Sequence, residues 1–402
     1  MDHGRFLPLI EWIAAAGLSG QRELGLLQEF CERALDLGLP LSRAVVGVDT
    51  LHPVLEGRVF EWRRDAAAPT QADYGRLDVE DSYDKWLQSP FHRLYESGAT
   101  TFRQPLGNEQ LEFPILEELR RQGMTDYVAM VNRFAADAAI GTMDCTYSSW
   151  TTDRAGGFLD ADLAALELLI PCLALAIKSA SITRIAETLV ETYLGRDAGH
   201  RVLRGQIERG TAEKISAVLW FSDLQGFTRI TDTAPPEQII PLLNEYADAI
   251  ATAIHGQGGE VLKFIGDGIL AIFAAAAAAD ACACALDAAA DAHREVAMLN
   301  QRRGAAGQPV TRFYLGLHVG DVFYGNIGSL DRLDFTVVGP AVNEASRIAA
   351  MCRSLDQDVL LSSSFAQAAG ASRRRLVSVG RYALRGVQRP QELYTLDPEA
   401  AT

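Results

Sequence analysis

Two aspartates, Asp223 and Asp267, are the residues of this 402-residue chain best placed to do chemistry. Asp267 stands between Gly266 and Gly268 in the stretch Glu260 to Phe273, EVLKFIGDGILAIF. That stretch reads as two short strands closed by a tight turn, since Val261, Phe264, Ile265, Ile269, Ala271 and Phe273 supply apolar, strand-prone content. Lys263 is the other charge in the run. A buried charge is costly unless it is paired or coordinates something, so both charges need a reason to be there. A GDG alone is common turn punctuation. Asp223 changes that reading. It follows ISAVLWF, Ile215 to Phe221, a continuous apolar run of strand length. Gly226, Phe227 and Thr228 then open a helix, whose N-terminus offers backbone N–H groups to phosphates. Two carboxylates on separate strand ends, beside such a cradle, suit two divalent ions held against a triphosphate. Further on, Asn343 and Arg347 stand four apart in VNEASRIAAM, which reads as helix, so they share one face. Arginine is always charged and presents a fork to phosphate oxygens. On its own such an arginine reads as a surface salt bridge; beside two carboxylates and a phosphate cradle it reads as part of a site.

Four segments occur in order: SAVLWFSDLQGFTRITD, GGEVLKFIGDGILAIF, YLGLHVGDVFYGNIGS and DFTVVGPAVNEASRIAAMC. Together they resemble the catalytic domain of the class III nucleotidyl cyclases, over about residues 213 to 396. The resemblance implies a ferredoxin-like α+β core and a head-to-tail homodimer with sites at its interface. It implies that Asp223, Asp267 and the Leu224 backbone carbonyl bind two divalent ions, Mg²⁺ or Mn²⁺. Lys263 and Thr336 match the pair that reads the purine. Asn343 matches the residue that orients the ribose, and Arg347 the one that stabilises the transition state. Phe227 and Thr228 fall where the phosphates are cradled. Arg385 stands near where a basic residue meets the terminal phosphates. Pro340 and Glu344 depart from the family's pattern on either side of Asn343.

The base follows from donors and acceptors. Lysine only donates, and a threonine hydroxyl donates and accepts. Adenine offers an acceptor at N1 and a donor at its 6-amino group, which Lys263 and Thr336 fit. Guanine reverses both edges. ATP is therefore the expected substrate, with cyclic AMP and pyrophosphate as products. The alternatives are a guanylate or purine-promiscuous cyclase, and a non-catalytic nucleotide-binding or dimerisation protein.

Around these residues, the length allows two or three domains. A composition of 48% hydrophobic and 22% charged residues suits soluble domains with full cores. The net charge of −15 argues against a nucleic-acid partner, and makes an anionic substrate depend on local positive charge and metal ions. Six cysteines without a CxxC pair fit a reducing cytoplasm, and Cys282 and Cys284 read as small core residues. Asp2, Arg5 and Glu11 interrupt any secretory leader. No membrane span is expected: Ile269 to Ala279 is too short, and Leu163 to Ala180 contains Glu167 and Pro171.

Residues 1–180 are expected to hold N-terminal helices and a regulatory domain. Leu7 to Leu37 reads as helix in two pieces, and Val45 to Trp62 as short strands. Phe113 to Gln122 reads as helix, Tyr127 to Phe134 and Ala138 to Trp150 as strands, and Phe158 to Ala180 as an amphipathic helix opened by Asp160 and Asp162. The run GTMDCTYSSWTTDRAGGFLDADLAALELLIPCLALAI, with these strands, resembles a GAF-like sensor over roughly residues 40 to 180. That implies an unnamed small-molecule ligand or a dimerisation role. Trp62, Trp86 and Trp150, with His52 and His92, are candidates to line its pocket. Residues 181–213 are polar and helix-forming, broken by Gly195 and Gly199, and read as a two-helix transducer. Residues 214–402 complete the cyclase-like domain.

Overall fold

The computed structural model describes residues 3–75, 84–107, 110–134, 140–141, 143–384 and 390–397. The chain divides into two compact units, Met1–Leu189 and Val190–Thr402.

In the first unit the helices α1 (Leu7–Leu18) and α2 (Glu23–Asp36) precede the strands β1 (Arg43–Asp49), β2 (Leu55–Arg63) and β3 (Thr70–Gly75). Helix α3 (Pro90–Ser97), strand β4 (Thr101–Pro105), helix α4 (Pro114–Arg121) and strands β5 (Asp126–Arg133) and β6 (Cys145–Thr152) follow. Helix α5 (Asp160–Leu194) ends the series and carries the border between the units within it. The strands form one antiparallel sheet in the order β3-β2-β1-β6-β5-β4. Side chains alternate along a strand, so each face has its own core. Val46, Phe60, Val128 and Trp150 pack with Phe30 of α2 and Leu169 of α5. Tyr127, Ala129, Val131 and Tyr147 pack with Leu94 of α3 and Leu116 of α4. Every residue of β6 is buried, because both faces of that central strand are covered.

Some expectations need correcting. Trp62 and Trp150 belong to the first core, while Trp86 packs edge to face on Tyr147 in the second, at 5.1 Å between ring centroids. The sheet stands between them, so the three tryptophans do not line one pocket. His52 instead shapes a turn, its Nδ1 accepting from the Leu55 N–H at 3.1 Å. The helix from Phe158 does not stop at Ala180. It runs on as one 35-residue helix to Leu194, because no residue between breaks it and Pro171 lies inside it. Gly195, with φ 87°, ends it, whereas Gly199 lies inside helix α6 (Arg196–Leu203) and breaks nothing. Helix α5 is also long and apolar enough to cross a membrane, with mean hydropathy 1.9 and half of that window buried within the protein. Strand β3 escaped the sequence reading because its TQADYG carries no apolar alternation and most of it is exposed.

The second unit opens with the end of α5, continues with α6, and is built on β7 (Ala212–Leu224) and β10 (Phe313–Gly328). These pair antiparallel from Leu224↔Phe313 to Ala212↔Gly325. Between them come α7 (Phe227–Thr233), α8 (Pro236–Gly256), β8 (Glu260–Ile265), β9 (Gly268–Phe273) and α9 (Ala278–Ala305). After them come β11 (Leu333–Val338), α10 (Pro340–Leu355), β12 (Val359–Ser362), α11 (Ser363–Ala368), β13 (Leu376–Tyr382) and β14 (Gln391–Leu396). The sheet order is β13-β14-β12-β10-β7-β9-β8, with β11 on β10. Its centre, β10-β7-β9-β8, is the antiparallel βαββαβ arrangement of a ferredoxin-like fold.

Alternation again divides the core. Val218 and Trp220 of β7 face α8 and α9. Ala217 and Leu219 face α6, β11 and the start of α10. The alanines of α9, such as Ala285, Ala288, Ala289 and Ala292, are fully buried, and Cys282 lies among them as a small core residue. Helix α10 sits directly on β10 at Gly316. A Cβ there would lie 2.5 Å from the Ala345 carbonyl oxygen, so only glycine admits the helix at that depth.

Candidate active site

Asp223 is the last residue but one of β7, and Asp267 lies in the turn between β8 and β9. The register Ser222↔Ile269 sets Asp223 beside Gly268, where a Cβ would lie 3.6 Å from Asp223 Oδ1. No side chain at Gly268 therefore separates the two carboxylates. Partial burial, then the charge of Asp267 and a hydrogen bond shared with it, push the Asp223 carboxyl up to about 6. The Leu224 N–H works against that shift. Among the described residues, no group of three or more His, Cys, Asp or Glu residues is gathered to hold a metal. Two carboxylates in mutual repulsion, with backbone carbonyl and phosphate oxygens completing the shell, nevertheless fit Mg²⁺, which uses few protein ligands. Helix α7 begins at Phe227 after Gly226, whose φ of 66° suits glycine. Phe227 packs against the core, and Thr228 is exposed.

Lys263 lies in β8, and its Nζ donates to Asp334 Oδ2 at 2.5 Å. The hydrogen bond from Lys263 holds the Asp334 carboxyl below its ordinary range. Asp334 and Thr336 are two apart in β11, so they share a face. Phe335 and Val337 fill the opposite face and are buried in the core below. Strand β11 lies against β8, which brings Lys263 to the Asp334–Thr336 face. Asp334 is the residue that sequence reasoning missed. Its signal was positional: an acid two residues before Thr336 on a strand must face the same way.

Asn343 and Arg347 lie on α10, Asn343 exposed and Arg347 half-buried. Among the described residues neither side chain has a hydrogen bond or ion pair. Pro340 is the first residue of α10, where its fixed φ suits a helix start and its missing N–H costs nothing. Arg385 lies outside the described residues. Apolar side chains around these polar ones are exposed: Phe264 and Ile265 after Lys263, and the register pair Phe323 and Val338 at the end of β11.

Residues 210–398 match the sequence model of the adenylate and guanylate cyclase catalytic domain. An uncharacterized protein of Mycobacterium tuberculosis is 31% identical over 204 residues, which are 50% of this chain and 36% of that protein. An adenylate cyclase of Anabaena cylindrica is 33% identical over 162 residues, 39% of this chain and 32% of the relative. The matches thus span about a third of the length of these curated relatives. Among solved structures, the adenylyl cyclase CyaB from P. aeruginosa is similar at 23% identity and a TM-score of 0.43, over 46% of this chain and 96% of that one.

Proposed function

We propose that the C-terminal unit, an adenylate and guanylate cyclase catalytic domain, converts ATP into 3′,5′-cyclic AMP and pyrophosphate. The observation that carries this reading is the common face of Lys263, Asp334 and Thr336. Lys263 donates to adenine N1, and the 6-amino group donates to the Thr336 hydroxyl. Asp223, Asp267 and the Leu224 carbonyl would hold divalent ions, which lower the pKa of the ribose 3′-hydroxyl and neutralise the phosphates. The N–H groups at Phe227 and Thr228 meet the phosphates. Asn343 holds the ribose so that its 3′-oxygen stands in line with the α-phosphorus. The O3′–Pα bond forms, the bond from Pα to the bridging oxygen breaks, and pyrophosphate leaves with the electron pair. The 3′-hydroxyl proton passes to solvent. Arg347, without a partner of its own among the described residues, meets the charge that spreads over the phosphoryl oxygens.

The active form is a homodimer in which each site draws on both copies. The exposed Phe264, Ile265, Phe323 and Val338 support this, since an apolar patch beside a polar site is what a second copy covers. The first unit is a GAF-like regulatory domain, supported by its sheet order and by the helices α1, α2 and α5 that cover one face. It takes a small-molecule ligand or a second copy, and acts on the cyclase in the cytoplasm. A second reading, GTP as substrate, has one observation in its favour. The Asp334 carboxylate can accept from guanine N1–H and its 2-amino group if Lys263 turns away.

The test is cyclic nucleotide production by the purified full-length protein, with ATP and GTP in parallel, each with Mg²⁺ and with Mn²⁺. Cyclic AMP is expected. Cyclic GMP alone overturns the base assignment, and no product under any of the four conditions overturns the enzymatic reading.

A further inference from the structure

His318 lies in β10, on the face that carries α10, with 6% of its surface exposed. Its Nδ1 is 3.3 Å from Ser364 Oγ, and its Nε2 is 3.9 Å from Glu344 Oε2. The neighbouring groups point to one tautomer. The Ser364 hydroxyl donates to the Val319 carbonyl at 3.0 Å. Its one proton is spent there, so towards the ring its oxygen can only accept. Ser362, 2.9 Å away, takes the Phe365 N–H and has its own proton to give to Ser364. In that arrangement Nδ1 carries the hydrogen, and in the neutral ring Nε2 presents a lone pair to a carboxylate, in keeping with the 3.9 Å gap on that side.

The same oxygen, Glu344 Oε2, accepts from Gln391 of β14 at 2.9 Å. Glu344 lies one residue after Asn343 and three before Arg347 on α10. The ring and the helix also meet over Gly320, where a Cβ would lie 2.6 Å from Ala341 Cβ and 3.0 Å from His318 Nε2. Around the ring, α10 offers Glu344, α11 offers the Ser364 hydroxyl, and the ring's own strand offers the Val319 carbonyl. Glu344 is the one charge among the described residues that acts on it.

We infer that His318 and Glu344 are positioning residues that form a proton-operated anchor, setting how α10, and with it Asn343 and Arg347, seats on the sheet. This rests on the reading that those two residues serve the substrate. With the ring neutral, two acceptors face each other and Gln391 alone holds Glu344. A proton at Nε2 makes the pair ionic and closes the 3.9 Å gap to hydrogen-bond length, drawing the helix inward. Burial keeps the ring below its ordinary 6.5, while Glu344 opposes that shift, so the change falls on the acid side of neutrality. Displacement by a fraction of an ångström lowers kcat, because the reacting groups must stay in line. KM for ATP changes less than kcat, because Lys263 and Thr336, which read the base, lie on β8 and β11 and stay in place.

The experiment compares kcat and KM from pH 5.5 to 8.5, at saturating metal, for the wild type and Glu344→Gln, with the His318 Cε1–H followed by NMR. The side-chain amide of that variant carries no charge, so a proton at Nε2 forms no ion pair there, and its oxygen still accepts from Gln391. The wild type is expected to lose about three- to tenfold in kcat on acidification, a step absent from the variant. The NMR midpoint is expected to fall by about half a unit or more in Glu344→Gln. His318→Asn, which keeps a donor towards Ser364 and does not titrate, should also abolish the step. Superimposable pH profiles, or an unmoved NMR midpoint, overturn the anchor. If the wild type makes no cyclic nucleotide, the functional reading fails, and the NMR midpoint still decides the pair.

Discussion

Asp126 in the first unit and Asp223 in the second are both strand aspartates set beside apolar residues, and their surroundings are opposite. Asp126 is fully buried. Its Oδ2 accepts from Arg103 Nη2 at 2.7 Å and from the Phe158 N–H at 2.9 Å, and its Oδ1 accepts from the Tyr127 N–H at 3.0 Å. Glu23 in the same unit is treated alike, taking Arg184 and Ser181. Each buried carboxylate there is answered by donors, and the groups together tie strands to helices. Asp223 has another carboxylate for its neighbour, and Arg347 has no partner among the described residues. A charge fully paired within its own chain serves the fold. A charge left opposed or unpaired costs stability, and that cost makes sense only where something else binds.

The largest effects test this contrast directly. Asp223→Ala or Asp267→Ala should cut cyclic nucleotide production by about a hundredfold or more, since in the proposed function each removes a ligand of the ions. The same substitutions should leave the metal-free unfolding temperature at pH 7 unchanged or raised, because repulsion is relieved. Asp126→Ala should do the reverse. Removing one partner of a buried pair costs about 3–5 kcal/mol, read as a lower urea midpoint for the first unit. If Asp223→Ala destabilises as strongly as Asp126→Ala, both carboxylates are structural and the contrast collapses.

Arg347→Lys comes next. It keeps the charge and loses the planar fork, so kcat should fall about ten- to a hundredfold with KM for ATP nearly unchanged. A change confined to KM would place Arg347 in ground-state binding.

Metal and pH sharpen the contrast further. The folded Asp223 carboxyl is raised from 3.8 to about 6. The folded state therefore binds this proton more tightly than the unfolded chain does. The resulting stability is present at low pH and is lost as pH rises through about 6. In the proposed function Mg²⁺ would relieve the repulsion that remains. It should accordingly raise the unfolding temperature of the second unit by more at pH 7.5 than at pH 5. An equal rise at both values would separate the metal from this pair.

The sequence made one side of the contrast visible and hid the other. Asp223 and Asp267 could be read because a carboxylate in ISAVLWFSD or FIGDG is out of place chemically; apolar runs of strand length gave β7, β8 and β9, whereas the ferredoxin-like core came only as what the resemblance implies. Asn343 and Arg347 could be read from a helical spacing of four. Asp126 could not, because nothing local shows that Arg103 and the Phe158 N–H converge on it from distant segments. Asp334 drew no reading, because nothing local shows that β11 lies against β8 and brings Lys263 to it. Helix α5 was cut short because the polar change after Ala180 resembles a boundary, whereas the backbone needs only the absence of a breaker before Gly195.

The smallest predicted effect concerns Asp334, which is paired like Asp126 and yet belongs to the proposed site. Its partner Lys263 is about half exposed, so the pair contributes little to stability. Its use is in orientation. A lysine side chain carries about 2 kcal/mol of rotamer entropy, and a carboxylate that already holds it spares the substrate part of that cost. The carboxylate also stands where it favours guanine if the lysine is absent. Asp334→Asn keeps an acceptor for the lysine and removes the negative charge. It should raise KM for ATP about two- to fivefold, leave kcat within twofold, and leave the unfolding temperature unchanged. Lys263→Ala should weaken ATP use more and, with Asp334 intact, move the ATP-to-GTP ratio towards GTP. The double variant should lose that shift. If Lys263→Ala shifts the ratio equally with Asp334 and with an asparagine at that position, the carboxylate has no part in choosing the base, and its bond to Lys263 belongs with the structural pairs of the first unit.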